Sequence, residues 1–482
     1  MLTWLNQRTG FVTMATDFLT EDVPGGASYW YAFGSATVFA MLLQITTGIF
    51  LTFYYSPTAA TAWESTKYII DKVPAGWLVL SLHYWGATAM IALMMMHLLQ
   101  VLLWGAYKKP REMQWIVGVI LFIVTLVLGL TGYLLPWDLN ALLASKVAIQ
   151  IAGSAPILGQ AVLLFLQDGS GIGTLTINRF FGVHVWLTPA ILILLVVMHL
   201  AIFRWNGPAG APIDETPKLK PGRFWPDQMF MDTVLSFAVF LIVFGLAVFS
   251  PPTLDAKADP NNTQFVPYPA WYFMALFSLL DVVGQAPSWA VNFLGFFATI
   301  IFPTLLIVVL ILLPFIDKNP SRRLSRRPIV LTLTGLVLGG AIALSFVGQY
   351  HVQQQQVLHG LMPAPAAAAT ATTAGASTAA GLAVFTTNCA GCHGASGTGQ
   401  PGVFPPLAHN PVVTGPADKV IGIVSNGLTT PISVNGVKFS GMMPAWKGTL
   451  KPAEIADVIT YIRSAWGNKA SAVTTAQVNA AK

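Results

Sequence analysis

The stretch SLHYWGATAMIALMMMHLL, residues 81–99, holds two histidines, His83 and His97, 14 residues apart in an otherwise apolar run. A second run, HVWLTPAILILLVVMHLAIFR over residues 184–204, holds His184 and His199, 15 apart. An α-helix rises about 1.5 Å per residue, so each pair spans roughly 21–23 Å. At about 100° per residue, steps of this size bring the second ring back to within about 60° of the first. Two such helices side by side offer two His–His clamps, one above the other. That is the geometry for two bis-histidine haems stacked across a membrane. A lone histidine on an apolar face is ordinarily a satisfied core residue. Here, however, four of the chain's 8 histidines sit at matched intervals in spanning runs, where ionisable groups are costly and mark function.

The rest of the chain fits a membrane setting. Of its 482 residues, 55% are hydrophobic and only 9% charged, the balance of an integral membrane protein with a smaller soluble part. Seven apolar runs are long enough to span: about 33–55, 81–104, 115–135, 184–204, 230–250, 289–315 and 328–350. The first is too long and starts too late for a cleaved signal peptide, and it lacks a small-residue cleavage site. The N-terminal segment and the loops after runs two, four and six carry 13 lysines and arginines, from Arg8 to Arg327, whereas the other three loops carry 5. The positive-inside rule therefore places the N-terminus in the cytoplasm. Seven spans place the C-terminal part on the opposite side. The basic residues are scattered over membrane-flanking loops, not gathered on one soluble face, which argues against nucleic-acid binding.

The predicted organisation is a four-helix di-haem bundle (1–204), a Pro/Gly-rich joint (205–229) and a three-helix module (230–350). A flexible linker (351–380), a small globular domain (381–467) and a disordered tail (468–482) follow. Residues 1–32 read as an amphipathic lead-in lying on the membrane surface. The long loop 139–183 has enough apolar character for one or two surface helices. Gly34 and Gly48, and again Gly118 and Gly132, repeat the 14-residue interval in the first and third runs. Small residues in membrane helices commonly serve packing. Sharing the histidine interval, these four are expected to clear room for two flat ligands at two levels. Arg111, in the cationic loop after run two, is a candidate partner for haem propionates or an anionic lipid.

The only 2 cysteines fall in Cys389-Ala390-Gly391-Cys392-His393, the CxxCH pattern for covalent c-type haem, with His393 as proximal iron ligand. Zinc would need further ligands, and only His409 is near.

Two resemblances gather these features. The C-terminal domain resembles class I cytochromes c. The segment Gly441-Met442-Met443-Pro444-Ala445-Trp446 looks like their distal-ligand loop, in which the methionine directly before proline binds iron. That implies Met443 over Met442, and a high-potential His/Met site. The first 350 residues resemble the cytochrome b subunit of Rieske–cytochrome b (cytochrome bc) complexes. The resemblance is closest to the chloroplast and cyanobacterial form, split in that family into two polypeptides and here fused. Phe53-Tyr54-Tyr55, the Lys108–Glu112 loop, the Gly132–Asp138 turn and the 15-residue interval carry it. It implies a low-potential b haem on His83 and His184 at the outer side, and a high-potential one on His97 and His199. It further implies an outer quinol site built from Tyr133, Pro136, Trp137, Pro269, Trp271 and Tyr272. Asp17 and Arg204 would serve a quinone near the cytoplasmic face. Relatives work as dimers with a Rieske iron–sulfur protein, so a homodimeric complex is expected, passing electrons to a further cytochrome c or other acceptor. The expected location is a bacterial cytoplasmic membrane.

Three departures stand out. The family's quinol-oxidation motif Pro-Glu-Trp-Tyr reads Pro269-Ala270-Trp271-Tyr272 here, and alanine cannot accept a proton. Proton release must then use another group, or water, or the site is impaired; Asp138, Asp255 and Asp281 are outer-side candidates. No cysteine precedes Cys389, and Ala32 stands where relatives attach an extra covalent haem. Leu80 and Gln100 occupy positions where helix-two arginines are expected, which implies that propionate pairing relies more on Arg111, Arg179 and Arg204. The overall expectation is an all-α membrane protein carrying two non-covalent b haems and one c haem, oxidising quinol and building a proton gradient. A second reading, a di-haem conduit to the c haem without a bifurcating quinol site, is favoured by Ala270 and opposed by the retained turn, Pro269, Trp271 and Tyr272.

Overall fold

The computed structural model describes residues 1–169, 171–210, 212, 222–259, 265–284, 288–358, 376–394, 397–399, 404–428, 430–439 and 443–481. Its chain divides into two compact units, 1–348 without 264–266, and 349–482 with 264–266. Among the described residues, seven helices are long and apolar enough to cross a membrane: Tyr29–Thr52, Gly76–Leu103, Glu112–Tyr133, Thr174–Asn206, Phe224–Phe249, Phe293–Ile316 and Pro328–Gln356, spans one to seven below. Sheet structure among the described residues is limited to two ribbons, Asp22–Val23 with Gly222–Arg223 and Ile432–Val434 with Val437–Phe439. The all-α membrane architecture stands.

Span four begins ten residues earlier than the hydropathy pattern suggests, because the end of the 139–183 loop is itself helical. Helix Thr174–Gly182 runs through a π-helical turn, Val183–Leu187, into Thr188–Asn206. A π turn takes one residue more than an α turn. His184 lies in it, so the extra residue of the 15-residue interval is absorbed locally. The rest of the 139–183 segment forms two helices, Leu139–Gly153 and Gly159–Leu166.

Spans one to four close on an apolar plug. Ala36, Ala40 and Met41 of span one meet Met90 and Leu93 of span two, Val117 and Leu121 of span three and Leu192 of span four. Apart from Val117, which directly precedes Gly118, these positions fall between the two histidine levels in sequence. The alanines, essentially fully buried, bring the backbones close.

The basic side of the bundle is tied by a buried ionic cluster joining the first four spans to the last three. Asp317, at the end of span six, accepts from Lys108 Nζ at 2.9 Å and from the Tyr107 hydroxyl. Arg327, at the start of span seven, lies 3.6 Å from Asp317 and donates to the carbonyls of Leu102 and Leu103 and to Tyr107 Oη. Burial alone would raise the Asp317 carboxyl, but hydrogen bonds from Tyr107 and Lys108 hold it below its ordinary value. Arg322 donates to Trp104, Ala209 and Gly210 carbonyls.

The second unit packs helix Ala376–Asn388 across Pro452–Ser464. Gly381 permits the crossing, since a Cβ there would strike the Asp457 carbonyl. Phe385, 1% exposed, packs on Tyr461 and Trp466 over a core of Val420, Ile421, Val424, Ile455, Ile459 and Ile462.

Several expected boundaries move. Residues 468–481 are not a disordered tail. Helix Thr475–Ala480 is capped by Thr474, and Val473 and Val478 are buried in the core. Thr460 Oγ1 donates to the Val473 carbonyl and accepts from its amide. The physical reason is that polar composition hid two apolar anchors and a capping box. Span seven extends to Leu358 and the next helix starts at Ala376, so the linker is shorter than 351–380. Its residues 359–375, Lys218 and Lys220 of the joint, and Gly441 and Met442 lie outside the described residues. Within the joint, Gly222–Arg223 forms a strand and span five starts at Phe224.

Candidate redox site

The four histidines and four glycines form two matched levels. A Cβ added at Gly48 would come 3.2 Å from His83 Cε1, and one at Gly132 2.5 Å from His184 Cε1. At the other level Gly34 faces His97 at 3.4 Å and Gly118 faces His199 at 3.3 Å. Each of these four glycines is thus a cradle that a side chain would fill against one ring. His83 and His184 face each other with ring centroids 6.2 Å apart at 78°. Two metal–imidazole bonds of about 2.0 Å plus about 1.1 Å from nitrogen to ring centre on each side give roughly 6.2 Å. The pair is therefore spaced to clamp one metal ion between its rings, as a bis-histidine haem requires. His97 lies opposite His199.

At the first level each ring has a hydroxyl on its Nδ1: Thr47 Oγ1 at 2.9 Å from His83 and Thr131 Oγ1 at 3.1 Å from His184. At the second level Nδ1 of His97 and of His199 has no hydrogen-bond partner among the described residues. The Gln114 carbonyl faces His199 without closing such a bond.

The glycine distances order the effects of filling the cradles. Gly132→Ala puts a methyl well inside contact distance of His184, whereas Gly34→Ala meets His97 at ordinary contact. Gly132→Ala is expected to take non-covalent haem from two toward one per chain, with Gly34→Ala losing less. Pyridine haemochrome content of the purified variants checks the order; equal losses would refute it.

In the second unit, Cys389, Cys392, His393 and Met443 line one pocket with Phe404, Leu428 and Trp446. His393, 8% exposed, holds Nδ1 at 2.9 Å from the Pro405 carbonyl. Nδ1–H donates there, which leaves Nε2 free for a metal. Burial lowers the imidazole below its usual range, keeping it neutral. Burial and the neighbouring Cys392 push the Cys389 thiol up to about 11. Met443 is fixed by paired backbone bonds with Leu428, 2.9 and 3.0 Å. The donor set suits a His/Met haem with two thioether links.

The proposed quinol residues are drawn together by backbone stitching. Segment 137–139 pairs with 256–258: Leu139 N donates to Ala256 O, and Ala258 N to Trp137 O. The Tyr133 hydroxyl donates to the Tyr268 carbonyl at 2.6 Å. Asn140 accepts from the Tyr268 amide at 3.0 Å and donates to Tyr133 Oη. The turn after span three, with Pro136 and the buried Trp137 (φ 53°), therefore abuts the segment Pro269–Tyr272. The Tyr272 hydroxyl reaches Gly129 of span three, where an added Cβ would lie 2.9 Å from it. Trp271 is 45% exposed, its ring edge-on to Tyr272. Asp138 caps helix Leu139–Gly153 through Ala141 N at 2.8 Å and accepts from Asp255 N at 3.3 Å. Asp255 in turn accepts from the Tyr268 hydroxyl at 2.9 Å. Burial pushes Asp138 up to about 6. Asp281 is exposed on helix Met274–Gly284.

The three arginines expected at propionates or quinone have protein partners in the structure. Arg111 donates to the carbonyls of Asn206, Gly207 and Pro208, so it clamps the loop after span four. Arg179 donates to the Gln167 carbonyl at 2.6 Å and lies over the Phe165 ring. Arg204 pairs with Glu21, not with Asp17, and lies 5.0 Å from the Phe18 ring. Asp17 is exposed on helix Phe11–Leu19. In each case a carbonyl or carboxylate of the protein engages the guanidinium. Sequence reading missed Asn140, Tyr268, Glu21 and the threonines Thr47 and Thr131. Only the last two left a signal, a Thr-Gly pair before each first-level glycine.

Residues 18–207 match the family described as Cytochrome b/b6/petB, residues 257–365 Cytochrome b(C-terminal)/b6/petD, and residues 378–466 Cytochrome c. The chain is 42% identical over 215 residues to the menaquinol:cytochrome c reductase cytochrome b subunit of Geobacillus thermodenitrificans, covering 43% of this chain and 96% of that protein. It is 30% identical over 372 residues to cytochrome b of Allochromatium vinosum, covering 72% and 87% respectively. The solved structure "Hyperthermophilic respiratory Complex III" matches with a TM-score of 0.64 at 26% identity, over 75% of this chain and 95% of its own.

Proposed function

The chain belongs to the cytochrome b family, with both cytochrome b parts and a cytochrome c domain in one polypeptide, and from that premise we propose that it is the quinol-oxidising subunit of a bc-type complex. The carrying observation is the pair of histidine–glycine levels, one above the other, beside a turn stitched to Pro269–Tyr272.

When bound, two b haems and one c haem supply one-electron transfer. His83 and His184 would hold the first, His97 and His199 the second, and His393 with Met443 the third, attached through Cys389 and Cys392. Quinol binds against Tyr133, Trp137, Trp271 and Tyr272, on the outer side that the distribution of lysine and arginine assigns. One of its two electrons passes to a separate Rieske iron–sulfur protein, since the chain's only 2 cysteines stand in the c pocket. The other stays with this chain and crosses to a quinone near the cytoplasmic face, where Arg204 and Glu21 meet. Two such units form the working dimer. Because the two electrons part company, one oxidation separates charge across the membrane.

Ala270 leaves the quinol proton to other groups. Asp138 and Asp255, linked to Tyr268, stand at the same turn. Burial and Asp255 raise the Tyr268 phenol, so it remains a donor, while Asp138 with a pKa near 6 is a base above that pH. The raised carboxyl holds its proton up to about pH 6 and accepts one only above it. Quinol oxidation is therefore expected to rise through pH 6 in the parent. It should be slower and flat there in Asp138→Asn, which retains the helix cap. An unchanged profile would remove Asp138 from the role.

Quinol-driven c-haem reduction in the purified complex tests the whole reading. Sensitivity to stigmatellin-type and antimycin-type inhibitors, with a copurifying iron–sulfur protein, is the expected result. Insensitivity to both inhibitors without such a protein would establish the passive conduit instead.

A further inference from the structure

The two histidine levels differ in one respect that the ligand set does not explain. Thr47 and Thr131 sit directly before Gly48 and Gly132, are 5% and 3% exposed, and reach Nδ1 of the two first-level rings. Each hydroxyl already donates its single hydrogen one helical turn back, Thr47 to the Leu43 carbonyl at 2.7 Å and Thr131 to the Val127 carbonyl at 2.8 Å. What remains on Oγ1 is a lone pair. Each threonine therefore accepts, and each ring donates from Nδ1–H. That fixes the tautomer with Nε2 bare. The second-level glycines follow Phe33 and Val117, which have no acceptor, and Nδ1 of His97 and His199 is orphaned among the described residues.

An acceptor on Nδ1–H makes an imidazole a stronger electron donor to a metal on Nε2, which favours the oxidised metal. We propose that Thr47 and Thr131 are potential-setting residues, holding the haem clamped by His83 and His184 below the one clamped by His97 and His199. An electron arriving at the first level then runs downhill to the second. The bias comes from two hydroxyls, with the same His/His ligation at both levels. This rests on the haem-holding reading above.

Redox-titrated optical spectra of the purified complex provide the test, with haem content measured alongside. Thr47→Val and Thr131→Val, isosteric but without an acceptor, should each raise the lower b component. The expected size is about tenfold in the reduced-to-oxidised ratio at fixed potential, about 59 mV for a one-electron couple. The higher component should stay in place, and Thr→Ser at either site should restore the parent value. The reverse variant, Val117→Thr, lies 14 residues from Thr131 and repeats its position toward His199. It should lower the higher component. Haem retained with both b components unmoved, or valine variants shifting both components equally, would overturn the proposal. If the valine variants lose haem, Val117→Thr decides alone: a lowered upper component supports the assignment and an unmoved one refutes it. Fewer than two non-covalent haems in the parent would instead strike the haem-holding reading.

Discussion

His184→Leu is expected to abolish one of the two b components and with it quinol-driven electron transfer across the membrane. His83 and His184 form a single clamp, with centroids 6.2 Å apart, and neither ring has a nearby substitute among the described residues. Removing one leaves a site with a single ligand in an apolar cradle. The surviving b component should be the higher-potential one, held by His97 and His199. His199→Leu should give the mirror result and leave the lower component. Reduced-minus-oxidised spectra during a redox titration check both. Two b components persisting in either variant would mean that the histidines are paired differently. The threonine variants give an independent cross-check, since they move the same component that His184→Leu removes.

Met443→Ala should leave the c haem covalently attached through Cys389 and Cys392 while its potential falls steeply. A thioether opposite histidine favours the reduced iron, and replacing it by water or another ligand removes that bias. Met443 is the pocket-lining candidate: it lies in the same cavity as Cys389, Cys392 and His393, and its backbone is pinned to Leu428. The expected signature is a c-type spectrum of unchanged intensity with a midpoint now below its normal acceptors. Quinol would still reduce the b haems, but delivery to the outer acceptor would fail. An unmoved midpoint would transfer the ligand role to another residue.

The sequence was informative where a constraint lies within one segment. Histidines and glycines at 14- and 15-residue steps report a helical rise and a common face, and the CxxCH pattern is a haem-attachment signature written in one contiguous stretch. It was least informative for the arginines. Arg111, Arg179 and Arg204 each stand where a propionate or quinone contact is plausible, yet each is engaged elsewhere. Their acceptors lie 12 to 183 residues away in sequence. A guanidinium chooses among many acceptors of comparable strength, and no local pattern records the choice. The same holds for Asp138, whose neighbours Asp255 and Tyr268 come from the far module.

From the chain alone came seven spans, two levels of paired histidines, a tethered haem domain and the side on which basic loops collect. Each of these follows from hydropathy, helical period or a contiguous motif. Only the folded structure decided that the final fourteen described residues pack into the haem domain, and that a π turn at His184 takes up the odd residue of its interval. It alone also gave hydroxyl partners to one histidine pair and none to the other. Those outcomes depend on which surfaces meet, and that is the joint result of many weak long-range contacts.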